Sequence, residues 1–333
     1  MTQWSSLAPL GWLLPVWTLS ACGGTLDAGS DRSSNDGLDW GDGFPVDATN
    51  PVILSNDGPI DNWQGEYAVL LTTTGLDLRG VVINDSGVWP DLGYNIDGWQ
   101  SLWDAAAASG VQGLPELTSS GSPPLVQPSS GEIDDTVPNG SPGAELIIQE
   151  AMSLGAGDRP LAVVAGGRLT DVADAYLLEP EIAERIVVVA ALGEQQGDEV
   201  VLGIPNGELV AWANVVVVER LVFALVTARY DQKSSVTSER LSELPENPFG
   251  AWISGKYEDI WWAIAADQVA VLAGALPGFA QQIDRASVSG TTTLDFGDTP
   301  TLAIDENGSG WVVTAVDGEL ATRTFWDLLE QVF

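Results

Sequence analysis

The chain of 333 residues contains no histidine. This removes the side chain that most often moves protons near neutral pH, and the commonest ligand of transition metals. Acid–base chemistry is left to Asp, Glu, Tyr and water, and any bound metal is expected to be a hard, oxygen-held ion such as calcium. Cysteine occurs once, at Cys22, which excludes an intrachain disulfide. Basic residues are scarce: 12 Lys and Arg stand against 47 Asp and Glu, a formal net charge of −35. Such a surface repels nucleic-acid phosphates and anionic lipid headgroups, so nucleic-acid binding is set aside. The charge suits solubility in an extracytoplasmic or salty setting.

The apolar run at 7–21 (LAPLGWLLPVWTLSA) is too short for an ordinary membrane span. It ends in Leu19-Ser20-Ala21-Cys22, followed by Gly23-Gly24. This resembles a bacterial lipoprotein signal, in which the cysteine becomes the lipidated first residue. Residues 1–6 depart from that pattern by lacking Lys and Arg, and an ordinary secretory signal is the alternative. The resemblance implies export to the bacterial cell envelope, with the membrane engaged only through a lipid on Cys22. Residues 23–50 are rich in Gly, Ser and Asp and read as a flexible tether.

The remainder, 51–333, reads as one α/β domain, and at 45% hydrophobic the chain can bury a sizeable core. Strands are predicted at 51–54, 78–83, 161–165 and 185–191, and helices at 63–73, 98–109 and 144–154. The strands are apolar throughout and alternate with helices. That pattern predicts a mainly parallel central sheet with helices on both faces, a Rossmann-like core. Residues 117–143 read as a Ser/Pro/Gly-rich loop, with Glu132, Asp134 and Asp135 as solvated acids. Residues 214–228 fit a helix or a buried strand equally well by periodicity. Residues 259–275 read as a helix, and 291–333 as hairpin-like strands and a final amphipathic helix. Ligands of such sheets sit beyond the carboxyl ends of the strands, where the turns at 55–62, 84–87 and 166–170 should all open.

Those turns carry acids and amides. The first reads Ser55-Asn56-Asp57-Gly58-Pro59-Ile60-Asp61-Asn62. It resembles the signature of the nucleoside hydrolase family, a strand followed by Asp-x-Asp-Pro-Gly-x-Asp-Asp. Asp57 and Asp61 match the second and third acids, while Ser55 and Asn62 stand at the first and last. Gly167-Arg168-Leu169-Thr170-Asp171 is similar to the family's Gly-Pro-Leu-Thr-Asn turn, and 175–193 to its following helix and strand. Trp212-Ala213-Asn214 keeps only the Asn of its Glu-Phe-Asn element, and Ala266-Asp267 keeps only the Asp of its His-Asp pair. The resemblance covers about residues 51–280 and gives the whole 51–333 segment its expected nucleoside-hydrolase-like fold.

Carried onto these positions, the resemblance implies hydrolysis of the N-glycosidic bond of a nucleoside or related riboside, by a calcium-bound water. Asp57, Asn62, Asp267 and the carbonyl of Thr170 would surround the calcium. Asp57 would also accept a proton from the water, as the catalytic base. Asp61 and Asn214 would hold ribose hydroxyls, and Trp261 and Trp262 would stack on the base, with Trp89, Trp99, Trp103 and Trp212 as further aromatic candidates. The partner would be a small nucleoside or riboside, and a homo-oligomer is possible. Calcium takes six to eight oxygen ligands, including carbonyl and amide oxygens, so Asn at 62 is compatible with it. The alternative is a catalytically inactive nucleoside- or sugar-binding envelope lipoprotein of the same fold. Local chemistry also has other uses for these residues: Asx-turns or caps at Asp57 and Asp61, an N-cap at Thr170, a first-turn acid at Asp267, and core packing for each Trp.

Overall fold

In a computed structural model, residues 43–58, 64–85, 91–154, 159–203, 211–230, 240–259, 267–294 and 297–333 are described. Strand β1 (Val52–Asn56) begins an eleven-stranded sheet. It is followed by α1 (Gln64–Thr74), β2 (Leu78–Asn84), α2 (Leu92–Ala108), β3 (Leu117–Ser120) and α3 (Pro142–Ser153). Next come β4 (Leu161–Ala165), α4 (Thr170–Leu178), β5 (Ile186–Ala190), β6 (Glu194–Gln196), β7 (Glu199–Val201), α5 (Ala211–Arg220) and β8 (Val222–Val226). The chain closes with α6 (Pro248–Asp259), α7 (Gln268–Ala275), β9 (Ala280–Leu294), β10 (Gly297–Ile304), β11 (Gly310–Val316) and α8 (Gly318–Val332).

The strand order is β3-β2-β1-β4-β5-β8-β11-β9-β10-β7-β6. The seven strands from β3 to β11 pair in parallel, and the last four continue the sheet antiparallel. The expected mainly parallel sheet with helices on both faces is therefore present. Successive side chains of a strand point to opposite faces, and β1 shows it. Val52 and Leu54 join the core under α1, α2, α7 and α8, whereas Ile53 joins the core under α3, α4 and α5. A strand such as β5, Ile-Val-Val-Val-Ala, is buried at every position because both faces are covered.

Helix starts follow capping chemistry. Asp91 accepts the N–H of Tyr94 at 2.9 Å, Ser141 that of Ala144 at 3.1 Å, and Asp317 that of Leu320 at 2.8 Å. Each satisfies a donor that the helix itself leaves open.

Two sequence readings need correction, and one left open is resolved. The folded body reaches back into the expected tether, because Phe44 and Val46 pack on the core and Asn50 donates to the carbonyl of Pro160 at 2.8 Å. Residues 117–120 form β3 rather than loop, because Val81 to Asn84 offer them a parallel partner. The ambiguous run at 214–228 is both elements in succession, the end of α5 and all of β8. No helix of the described residues is long and apolar enough to cross a membrane.

The sheet reverses its winding between β1 and β4. From β1 the chain moves through β2 to β3 on one side; from β4 it moves through β5 and β8 on the other. Such a switch point leaves a crevice at the carboxyl ends of the two strands. The residues that leave β1 and β4 there are Asn56-Asp57 and Gly166-Gly167.

Candidate functional site

The crevice is lined by amides as much as by acids. Asn56, the last residue of β1, donates its side-chain amide to Oδ2 of Asp267 at 2.8 Å. Asp267 directly precedes α7 but makes no side-chain cap for it. Its carboxylate turns to the sheet edge instead, while its place at the start of α7 keeps it at the positive end of the helix dipole. Its backbone carbonyl accepts from Nε2 of Gln64, the first residue of α1, at 3.2 Å. Both Asn56 and Asp267 are fully buried.

Gly166 makes this pairing possible. A Cβ there would collide with the amide nitrogen of Asn56 and lie 2.5 Å from Cβ of Asp267. Gly167 does the same one residue later: its Cβ would lie 2.5 Å from Oδ1 of Asn84 and 2.9 Å from the amide nitrogen of Asp57. Two glycines thus let the ends of β1, β2 and β4 and the start of α7 close on one another. Asp57 is 8% exposed, and its Oδ1 accepts the N–H of Gly58 at 3.0 Å.

A second ring of amides surrounds the turn. Asn84, at the end of β2, donates to Oγ of Ser55 at 3.1 Å. Ser55 stands where the family signature carries its first acid, and its hydroxyl here serves as an acceptor within the sheet edge. Asn95 of α2 donates to the carbonyl of Asn84 at 3.1 Å. Oxygen atoms of Asn56, Gln64, Asn84 and Asn95 are buried without a hydrogen-bond partner among the described residues. Buried polar atoms are normally paired, so these point to a ligand, an ion or water in the crevice.

Thr170 is the first residue of α4, with Leu169 at the capping position, so the N-cap reading does not hold. Its hydroxyl is buried without a partner among the described residues. Asn214 lies in the first turn of α5, which packs on α4 and leads into β8 from the same carboxyl edge. It is fully buried, and neither its amide oxygen nor its nitrogen has a partner among the described residues.

The structure therefore brings Asp57 and Asp267 to one corner through Asn56 and the two glycines. It places Thr170 and Asn214 on the same edge. Asp61, Asn62, Trp89, Trp261, Trp262 and Cys22 lie outside the described residues. Trp99 and Trp103 are core residues packed edge to face at 5.4 Å between centroids. Trp212 is buried and donates to the Thr136 hydroxyl at 2.9 Å.

Sequence reasoning missed four contributors. Asn56, Asn84 and Asn95 carry no charge, Asn56 fell on an unspecified position of the signature, and the one signal was a polar residue ending an otherwise apolar strand. Arg229 was the fourth. Its guanidinium donates to the carbonyls of Val226 at 2.6 Å, Ala228 at 3.0 Å and Ala191 at 3.2 Å, beyond the ends of β8 and β5. Burial pulls its pKa below the ordinary value, and the charge of Asp267 acts in the opposite sense.

The donor chemistry fits a hard cation. It consists of two carboxylates, amide and carbonyl oxygens and a hydroxyl, with neither sulfur nor imidazole, and several of those oxygens lack partners. Among the described residues, however, no group of three or more acidic, His or Cys side chains gathers as a metal cluster.

Solved structures share this fold. One is an inosine-uridine preferring nucleoside hydrolase from Bacillus anthracis, 15% identical, with a TM-score of 0.60 over 85% of this chain and 99% of that one. Another is an inosine-guanosine nucleoside hydrolase, 18% identical, with a TM-score of 0.61 over 85% of this chain and 99% of that one. A third is a purine-preferring ribonucleoside hydrolase from Gardnerella vaginalis, 14% identical, with a TM-score of 0.52 over 84% of this chain and 98% of that one. No protein-family model and no curated relative matches the chain. At these identities the likeness defines the fold, a nucleoside-hydrolase-like α/β architecture, and leaves the activity to the chemistry of the site.

Proposed function

We propose that this protein hydrolyses the N-glycosidic bond of a nucleoside or related riboside at the carboxyl edge of β1 and β4. The observation that carries the reading is the buried corner where the Asp57 turn meets Asp267 through Asn56, lined by amide oxygens that have no partner among the described residues. Asp57 takes the proton of the attacking water. Asn214, whose side-chain amide has no partner among the described residues, bonds ribose hydroxyls, together with Asp61. Trp261 and Trp262 stack on the base. A calcium ion held by Asp57, Asn62, Asp267 and the Thr170 carbonyl would supply Lewis acidity that lowers the pKa of water. Glycosidic cleavage passes through an oxocarbenium-like transition state, which nearby carboxylates stabilise. Export and lipid attachment at Cys22 belong to the same proposal and rest on the sequence of residues 7–24.

A second reading is a catalytically inactive nucleoside- or sugar-binding protein at the envelope. Ser55 and Asn56 favour it, because hydrogen bonding at the sheet edge occupies Ser55 where the signature has an acid, and an amide engages one oxygen of Asp267. Calorimetric titration with calcium chloride, followed by a reducing-sugar assay on a panel of nucleosides, separates the two. Calcium-dependent release of ribose supports the hydrolase. Nucleoside binding without ribose release selects the binding protein, and absence of any nucleoside binding defeats both.

A further inference from the structure

Arg229 brings a positive charge to the edge that holds Asp267. Asp267 packs against Gly166, the residue after β4. The carbonyl of Ala165, one residue earlier, accepts the N–H of Ala191 at 2.8 Å, and the carbonyl of Ala191 accepts Nη2 of Arg229 at 3.2 Å. The guanidinium thus sits one strand across from the Asp267 corner, fixed by the carbonyls that leave β5 and β8. Among the described residues no carboxylate lies within ion-pair distance of it, so its hydrogen bonds go to neutral acceptors. Asp267 is the acid that acts on it through space, and burial limits how far water can screen that interaction.

We propose that Arg229 is a resident counter-charge to Asp267, and that it sets the cation site for weak divalent binding. The inference rests on the reading that Asp57 and Asp267 hold a cation. A fixed guanidinium one strand across from one of two carboxylates cancels part of the attraction that a divalent ion would feel. It also repels the ion directly. Asn56 holds Oδ2 of Asp267 at the same corner.

The test is calorimetric titration with calcium chloride of the wild-type chain and of Arg229→Gln, Arg229→Lys and Asp267→Asn. Removing the guanidinium should tighten calcium binding by about tenfold or more, or reveal binding where the wild type shows none at millimolar calcium. Arg229→Lys, which keeps the charge, should bind as the wild type does. Unchanged affinity in Arg229→Gln, with calcium binding abolished in Asp267→Asn, overturns the proposal and leaves the site reading intact. Calcium binding that none of the three substitutions alters overturns both. If Arg229→Gln does not fold, the melting temperature of Asp267→Asn in EDTA decides. Asn keeps the acceptor for Asn56 but removes the charge facing Arg229, so a lower melting temperature is expected, and an unchanged or higher one overturns the proposal.

Discussion

The side chains of Asn56 and Asp267 meet at 2.8 Å across 211 positions of sequence, at the point where the sheet reverses its winding. The amide gives a buried carboxylate a donor that carries no charge. Asn56→Leu removes that donor while keeping an apolar volume in its place. It should lower stability by about 1–3 kcal/mol, the cost of a buried acceptor losing its partner. Urea denaturation measures this; a variant as stable as the parent would mean that the amide does not support Asp267.

Gly166→Ala should damage the same corner by sterics rather than by lost bonding. The added Cβ has the Asn56 amide and Cβ and Cγ of Asp267 in its way, the last two at 2.5 and 2.7 Å. Overpacking of this kind costs about 1–3 kcal/mol. Gly255→Ala in α6 is the control, because a Cβ there meets nothing within 4 Å. It should raise stability by up to about 1 kcal/mol through helix propensity. Thermal melts of the two variants should therefore shift in opposite directions.

Glu66, in the first turn of α1, is a buried acid outside the proposed chemistry. Burial pushes its carboxyl well above the ordinary value of 4.5, and a backbone hydrogen bond and the charge of Lys256 act the other way. The folded state therefore keeps the proton over a range where the unfolded chain has lost it. Its stabilising contribution is complete below the unfolded value and is lost as pH rises toward the folded one. Glu66→Gln should stabilise the protein at pH 7 and flatten this fall, as read from chemical denaturation between pH 4 and about pH 8. A parallel pH profile in the variant would remove Glu66 as the cause.

Asp174 of α4 holds down the segment before α3. Its carboxylate accepts the N–H groups of Asn139 at 2.6 Å, Gly140 at 3.3 Å and Ser141 at 2.8 Å. Asp174→Ala leaves these donors without their acceptor. The expected loss is about 3 kcal/mol, since hydrogen bonds to charged groups are the stronger ones. Amide hydrogen exchange should quicken at 139–141 first, and unchanged protection there would show that other contacts hold the segment.

How much of this was legible in the sequence depended on where the determining interaction lay. Strands β4 and β5 were readable because burial on both faces writes an uninterrupted apolar run, and β1 and β2 because most of such a run remains beside Ser55-Asn56 and Arg79. The junction between α5 and β8 was not, because Leu221 separates them without Gly, Pro or another turn residue, and periodicity alone does not separate a buried helix from a buried strand. Strand β3, Leu117-Thr118-Ser119-Ser120, has one large apolar residue and exists through its pairing with β2. Asp57 and Asp267 were readable as motif positions. Asn56 was not, because an amide gains its role only when Asp267 is folded against it. Arg229 escaped for the same reason: its meaning lies in three backbone carbonyls and one remote acid.

The last strand of the sheet lies inside it. β11 is inserted between β8 and β9, and through it the sheet of the described residues continues from the parallel strands into the antiparallel wing of β9, β10, β7 and β6. Strands β6 and β7 emerge during synthesis well before their place in the sheet exists, and wait for β10 and then β11. Assembly must therefore close from the carboxyl end inward, through pairings of long sequence separation, which are intrinsically slow. Until it closes, the chain carries open strand edges of the kind that invite pairing with other chains. A chain cut short before Gly310 would be left with two sheets and no seam between them.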